Sequence, residues 1–315
     1  MQIAVYGAGG VGAYYGGRLA QQGHDVTLIA RGDHREALQS EGLTVESVEG
    51  DFHVDLPATD DPDEVGEVDV VLFCVKSFDT EDAATTLEAM LGEDSAVLSL
   101  QNGVDNEAVL ADEVGTERVW GGVAYIFSTI KEPGVVEHTG GPAQIVFGQY
   151  HDVAAEPPER SALADDFLAA CEDATGMTAD YTENVHGTLW DKLALICAQA
   201  GLTATTRHPF GDVHANEESW RLYRRVIEEV VSVAHAEGVR FEWDPVSKWL
   251  DAMEAMDNED NYSSLHYDLT HGKRMELEAL HGSVVRRARE HAVDVPATEA
   301  IYAILAPQAE ANAAE

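Results

Sequence analysis

Six residues close to the N-terminus, Gly7-Ala8-Gly9-Gly10-Val11-Gly12, come directly after the apolar run Ile3 to Tyr6 and open a helical pattern through Tyr14, Gly17 and Leu19. Glycines at this spacing do their chemistry with the main chain. The first permits a tight turn, the second lets the backbone approach a pyrophosphate, and the third lets helix and strand pack closely. The helix start then offers free N–H groups and the positive end of its dipole to the phosphates. A glycine triplet alone is a weak signal. Here a strand precedes it, a helix follows, and a second strand runs from Val26 to Ala30, which together mark a dinucleotide site. NAD sites usually end that second strand with Asp or Glu against the ribose hydroxyls. This chain has Ala30-Arg31-Gly32 instead. The Arg31 guanidinium can form charge-assisted bonds with a 2'-phosphate and stack on adenine, so NADP is favoured. Asp33 nearby pulls the other way, and a salt-bridged surface arginine is the plain alternative.

Lysine is scarce: Lys76, Lys131, Lys192, Lys248 and Lys273 stand against fourteen arginines. In a chain so depleted, each survivor is a stronger candidate for a specific task. Lys76 ends an apolar run, where open parallel sheets bind ligands, and could meet a cofactor phosphate or a substrate carboxylate. A surface lysine at a strand end fits equally well. Lys192 lies within a long helical pattern. The ordinary reading of such a position is a helix lysine that snorkels to solvent.

The elements that must position these residues follow from composition and periodicity. A length of 315 residues suits two domains. With 45% hydrophobic and 24% charged residues, the composition is that of a globular protein. The net charge of -39 repels nucleic acid and anionic membranes, excluding both as expected partners, and fits a halophilic cytoplasm where salt screens the self-repulsion. Cys74, Cys171 and Cys197 lack metal-ligand spacing and read as reduced, buried thiols, so no metal is expected. The N-terminus enters a strand directly, and no run of about 20 apolar residues spans a membrane.

Apolar runs at Ile3 to Tyr6, Val26 to Ala30, Val68 to Val75, Ala96 to Leu100 and Val119 to Ile126 alternate with helix-length segments, the pattern of a parallel sheet with crossovers. Residues 42–55 read as a two-stranded excursion. Gly134 to His138 and Ala143 to Gly148 read as two strands parted by Gly140-Gly141-Pro142, and Met177 to Tyr181 as the last strand. Beyond that the periodicity is helical, over 186–205, 217–237, 244–256, 262–290 and 296–306, with a frayed tail from Gln308. The fold class is therefore α/β: a Rossmann-type parallel-sheet domain over 1–182 followed by an all-helical domain over 183–315.

In order along the chain, Gly7 to Gly12 with Arg31, Cys74-Val75-Lys76-Ser77, Gln101-Asn102-Gly103, Leu189-Trp190-Asp191-Lys192-Leu193-Ala194, and Ser263-Ser264 with Asp268, Glu276 and Glu278 resemble the ketopantoate reductase (2-dehydropantoate 2-reductase) family. The resemblance spans nearly the whole chain. It implies hydride transfer from NADPH to the C2 carbonyl of a small 2-oxo acid, with Lys192 as general acid. Glu276, twelve residues after Ser264 as the family pattern requires, would hold the lysine or the substrate hydroxyl. Ser264 and Asn102 would hydrogen-bond the substrate, a helix N-cap being the alternative for the serine. Asn102 also joins Gly7, Ala8, Gly9, Gly10, Val11, Gly12, Arg31 and Lys76 among the expected cofactor contacts.

The chain departs from the family where ketopantoate reducers usually carry asparagines four and eight residues after the lysine, for it has Ile196 and Ala200. Both share the lysine's helix face. Gln199 and Thr203 project within about 20° of Lys192 and could supply replacement polar contacts. The leading expectation is ketopantoate reduction on the route to coenzyme A. A different 2-oxo acid, or a non-catalytic NADP-binding sensor, are the alternatives. Helical second domains in such folds often pair, pointing to a homodimer.

Overall fold

The computed structural model of the chain describes residues 1–255 and 261–314, so Met256 and Glu315 of the expected segments lie outside the described residues. The chain divides into two compact units, Met1–Gln101 with Asn106–Val185, and Asn102–Asp105 with His186–Glu315.

The strands of the first unit, in chain order, are β1 (Gln2–Tyr6), β2 (Asp25–Ile29), β3 (Leu43–Ser47), β4 (Phe52–Val54), β5 (Ala58–Thr59), β6 (Val68–Phe73), β7 (Leu91–Ser99), β8 (Val119–Glu132), β9 (Val135–Gln149) and β10 (Thr178–Tyr181). They lie in the order β4-β3-β9-β8-β7-β6-β1-β2-β5, with β10 also on β9. From β5 to β8 every pairing is parallel. Successive side chains leave opposite faces. Thus Ile3 and Val5 join Leu28, Leu72 and Leu98 on one side, while Ala4 and Tyr6 join Ile29, Phe73 and Val97 on the other. Helices α1 (Gly10–Gln21), α2 (Gly32–Glu41), α3 (Thr80–Ala84), α4 (Asn106–Val114) and α5 (Ala162–Asp173) complete the unit.

The far side of the sheet is mixed rather than parallel. The two runs expected at 134–148 form one strand, β9, antiparallel to β8. The glycines do not end it. They separate two stretches of one edge, of which residues 135–138 take β3 and residues 144–147 take β10. The pairing with β8 shifts register opposite this point, where Gly141 and Ala143 adopt positive φ. The expected excursion at 42–55 is the antiparallel pair β3–β4, and β9 draws it into the main sheet.

The second unit carries α6 (Val185–Thr206), α7 (Phe210–Ala215), α8 (Glu217–Ala236), α9 (Pro245–Glu254), α10 (Ser264–Thr270), α11 (Ser283–Glu290) and α12 (Pro296–Ala313). The long helix expected over 262–290 is broken. His271 caps α10, Gly272 turns at φ 64, and the chain re-enters a helix through one π-turn, Glu278–Gly282. The Gly282 N–H reaches the Leu277 carbonyl at 2.9 Å, the wider spacing of such a turn. The expected frayed tail is the last part of α12. The Asn312 amide donates to the Lys273 carbonyl at 2.9 Å, so the tail ties down the loop that leads to Glu276.

Candidate active site

In the first unit, Gly7 turns at φ 93, and a Cβ there would stand 2.8 Å from the Val75 nitrogen, so only glycine fits. At Gly12 a Cβ would meet the Gly7 carbonyl oxygen at 2.5 Å, and at Gly10 it would run into the Ser128 carbonyl of β8. Gly9 differs: nothing lies within 4 Å of a Cβ built there. The Gly7 and Ala8 N–H groups both donate to the Ile29 carbonyl, at 3.1 and 3.0 Å. The first-turn N–H groups of α1, those of Gly10, Val11 and Gly12, have no acceptor within the helix. Neither an acidic residue in that turn nor a capping side chain competes for them. A turn with an open side and uncommitted donors fits a pyrophosphate. Arg31 stands at the N-cap of α2, exposed, and among the described residues its side chain makes no ion pair or hydrogen bond. The bland alternative of a salt-bridged arginine is therefore not what the structure holds.

Lys76 is half-buried beyond the end of β6, in front of the 3-10 turn Ser77–Asp79. Its loop is fixed from beneath. The Gln101 amide donates to the Val75 carbonyl at 3.0 Å and to the Thr80 hydroxyl at 2.7 Å, and Thr80 donates to Asn106 at 3.2 Å.

In the second unit, α6 is buried along most of its length, and Lys192 is only 8% exposed. Burial pushes the Lys192 ammonium down to about 8, while the Glu276 carboxylate partly offsets this by favouring the charged form. Glu276 is itself buried, two residues before the π-turn. The turn is tethered to the helix of the lysine, for the His281 ring donates from Nε2 to the Cys197 carbonyl at 2.9 Å. His281 is fully buried, and burial pushes it down to about 4, so it works as a neutral donor.

Next to Lys192, the buried Asp191 carboxylate accepts from the Trp243 and Trp249 indoles, each at 3.0 Å, and from the Lys248 ammonium at 2.5 Å. Lys248 also lies over both indole rings. This anchor fixes the helix that carries the lysine.

The remaining expected residues divide. Ser263, not Ser264, caps α10 by accepting from the His266 N–H, which leaves the Ser264 hydroxyl exposed and without a hydrogen bond among the described residues. Gln199 is buried on α6, and its side-chain amide likewise makes no hydrogen bond among the described residues. Thr203 is fully buried and committed: its hydroxyl donates to the Gln199 carbonyl at 2.8 Å and lies 2.7 Å from the Ser263 hydroxyl. It shapes the helix junction rather than offering a contact to a ligand. Asn102 belongs to the second unit, in the loop where Asp105 takes ion pairs from Arg286 and Arg287.

Sequence reasoning missed three supports: Asp191 with its indoles, His281, and His34, whose Nε2 lies 2.9 Å from the Ala8 carbonyl. Lysine scarcity was a usable signal for the first, since Lys248 was among the few. Among the described residues no group of three or more His, Cys, Asp or Glu could hold a metal, and no helix is long and apolar enough to cross a membrane.

Residues 3–152 match the family model described as "Ketopantoate reductase PanE/ApbA", and residues 184–309 match its C-terminal counterpart. A 2-dehydropantoate 2-reductase from Halobacterium salinarum is 34% identical over 298 residues, 94% of this chain and 95% of that protein. A crystal structure of a ketopantoate reductase of the same family from Ralstonia eutropha superposes with a TM-score of 0.88 at 36% identity, covering 99% of this chain and 100% of the other. A D-mandelate dehydrogenase solved with NADH and anilino(oxo)acetate shares the fold alone, with a TM-score of 0.88 at 20% identity over 99% of each chain.

Proposed function

The chain belongs to the ketopantoate reductase family, and from that premise we propose that it reduces ketopantoate to pantoate with NADPH, in the cytoplasm, on the route to coenzyme A. The observation that carries the reading is a buried lysine whose pKa is drawn to about 8 beside a buried glutamate. An acid with a pKa near the working pH is well matched to proton transfer.

Gly7, Ala8, Gly9, Gly10, Val11 and Gly12 hold the pyrophosphate, Arg31 the 2'-phosphate, and Lys76 a phosphate or the substrate carboxylate. When bound, NADPH supplies a hydride for C2 of the oxo acid. Lys192 gives its proton to the carbonyl oxygen, and before transfer its ammonium draws charge onto that oxygen. Glu276 keeps the lysine charged and oriented. Asn102, Ser264 and Gln199 offer hydrogen bonds to the substrate, whereas Thr203 acts by fixing Ser263 against α6.

A second reading keeps the chemistry and changes the acid, because the half-buried Ile196 and buried Ala200 make the lysine's helix face apolar. A non-catalytic sensor would need neither Lys192 nor Glu276. The test is NADPH oxidation by purified protein in molar salt, followed by absorbance. Ketopantoate-dependent oxidation is the expected result. Silence with ketopantoate but turnover with a more apolar 2-oxo acid would select the second reading, and binding of NADPH without turnover of any acid would leave a sensor.

The pH dependence has a definite sign. The general acid must be protonated, so kcat/KM for reduction should be level below pH 8 and fall about tenfold per unit above it, following the Lys192 pKa of about 8. Glu276 raises that pKa, so Glu276→Gln should move the falling limb to lower pH. A limb that stays in place would show that the carboxylate does not act on the lysine.

A further inference from the structure

Ahead of α1, over residues 7–9, the polar groups of the glycine turn are nearly all committed to main-chain partners. Gly7 and Ala8 donate to Ile29, and the Gly9 N–H donates to the Gly7 carbonyl at 2.8 Å. The exception is the Ala8 carbonyl, which faces Nε2 of His34 at 2.9 Å. The other ring nitrogen of His34, Nδ1, accepts from the Gly134 N–H at 3.0 Å. A carbonyl on one side and an N–H on the other are both satisfied by one neutral tautomer, protonated at Nε2. Partial burial lowers the His34 pKa, which suits that neutral form.

Gly134 lies in the β8–β9 turn, which packs closely on α2: a Cβ on Gly134 would be 3.1 Å from that of Ala37. The same hairpin supports the glycine turn a second time, through the Ser128 hydroxyl donating to the Gly10 carbonyl at 2.9 Å.

From this geometry we infer that His34 is a positioning residue for the dinucleotide, clamping the Ala8–Gly9 peptide between α2 and the β8–β9 hairpin so that the phosphate-facing N–H groups are held ready. The inference rests on the nucleotide reading above. Ala8 is buried, so without His34 its carbonyl loses its partner, and the neighbouring Gly9 permits the peptide to rotate in search of another. Binding must then restore the order of the turn. Because the pyrophosphate is common to both nucleotides, the loss falls equally on NADPH and NADH.

The test is titration of the full-length protein with NADPH and with NADH, followed by nicotinamide fluorescence, with melting temperature measured without nucleotide. His34→Ala should weaken both nucleotides by about the same factor, roughly tenfold, the scale of one hydrogen bond to a buried group. Two near-isosteric variants separate the two ring contacts. The amide nitrogen of His34→Gln can reach the Ala8 carbonyl and should restore most of the affinity. His34→Asn, whose oxygen replaces only Nδ1 toward Gly134, should not, even where its melting temperature equals that of His34→Gln. Equal affinities for the Gln and Asn variants, unchanged affinity in His34→Ala, or weakening of NADPH alone would each overturn the inference. If the unaltered protein binds neither nucleotide, the cofactor reading fails and this inference with it.

Discussion

Lys192→Ala is expected to lower kcat by about a hundred- to ten-thousandfold, the usual contribution of a positioned proton donor, while the Kd for NADPH stays within a factor of two or so. Apart from Asn102, the nucleotide contacts assigned above lie in the first unit, and alanine is the best helix former, so α6 should persist. The change does leave the buried Glu276 carboxylate without its cation. Lys192→Arg controls for that. Arginine keeps the charge but holds its proton too firmly to give it away, so it too should be slow. Single-turnover rates at saturating NADPH and substrate decide the matter. A rate equal to that of the unaltered protein in either variant would mean that the proton comes from elsewhere.

Arg31→Ala should weaken NADPH by about ten- to a hundredfold and leave NADH nearly unchanged, the scale of one or two charge-assisted hydrogen bonds to a phosphate. Arg31 is exposed, so screening will trim the effect as salt rises, and the titration belongs at several salt concentrations. Loss of both nucleotides to the same degree would show that the guanidinium does not read the 2'-phosphate. The contrast with His34, where both nucleotides should suffer alike, separates recognition of one phosphate from the shape of the turn.

What the sequence made legible was local. The glycine turn, the aliphatic strands around it and the helical periodicity of the second unit each depend on residues within a few positions of one another. Non-local partners decided the rest. Nothing in Gly140-Gly141-Pro142 says that β9 continues, because continuity comes from pairing with β8 and from β3 and β10 sharing its other edge. The apolar pattern over 262–290 is helical in period, yet Gly272 and the π-turn divide it. The tail from Gln308 reads as frayed until Asn312 is seen to reach Lys273. Of the proposed site, Lys192 and Glu276 could be singled out in the sequence, but the groups that hold them could not. Asp191 meets Trp243 and Trp249 more than fifty positions away, and His281 meets Cys197 at a separation of 84. Ser263 and Ser264 were indistinguishable until the helix showed which one caps it.

The Asp191 anchor has an evolutionary side. With two indoles and an ammonium gripping one end of α6, the roll of that helix is set independently of what stands at positions 196 and 200. Side chains there can be exchanged without redirecting Lys192, the proposed proton donor. With Lys192 as the proposed proton donor and positions 196 and 200 as the proposed substrate-facing ones, choice of substrate and power to turn it over would be separable traits in this scaffold, and new preferences could be tried one residue at a time without first losing the old reaction.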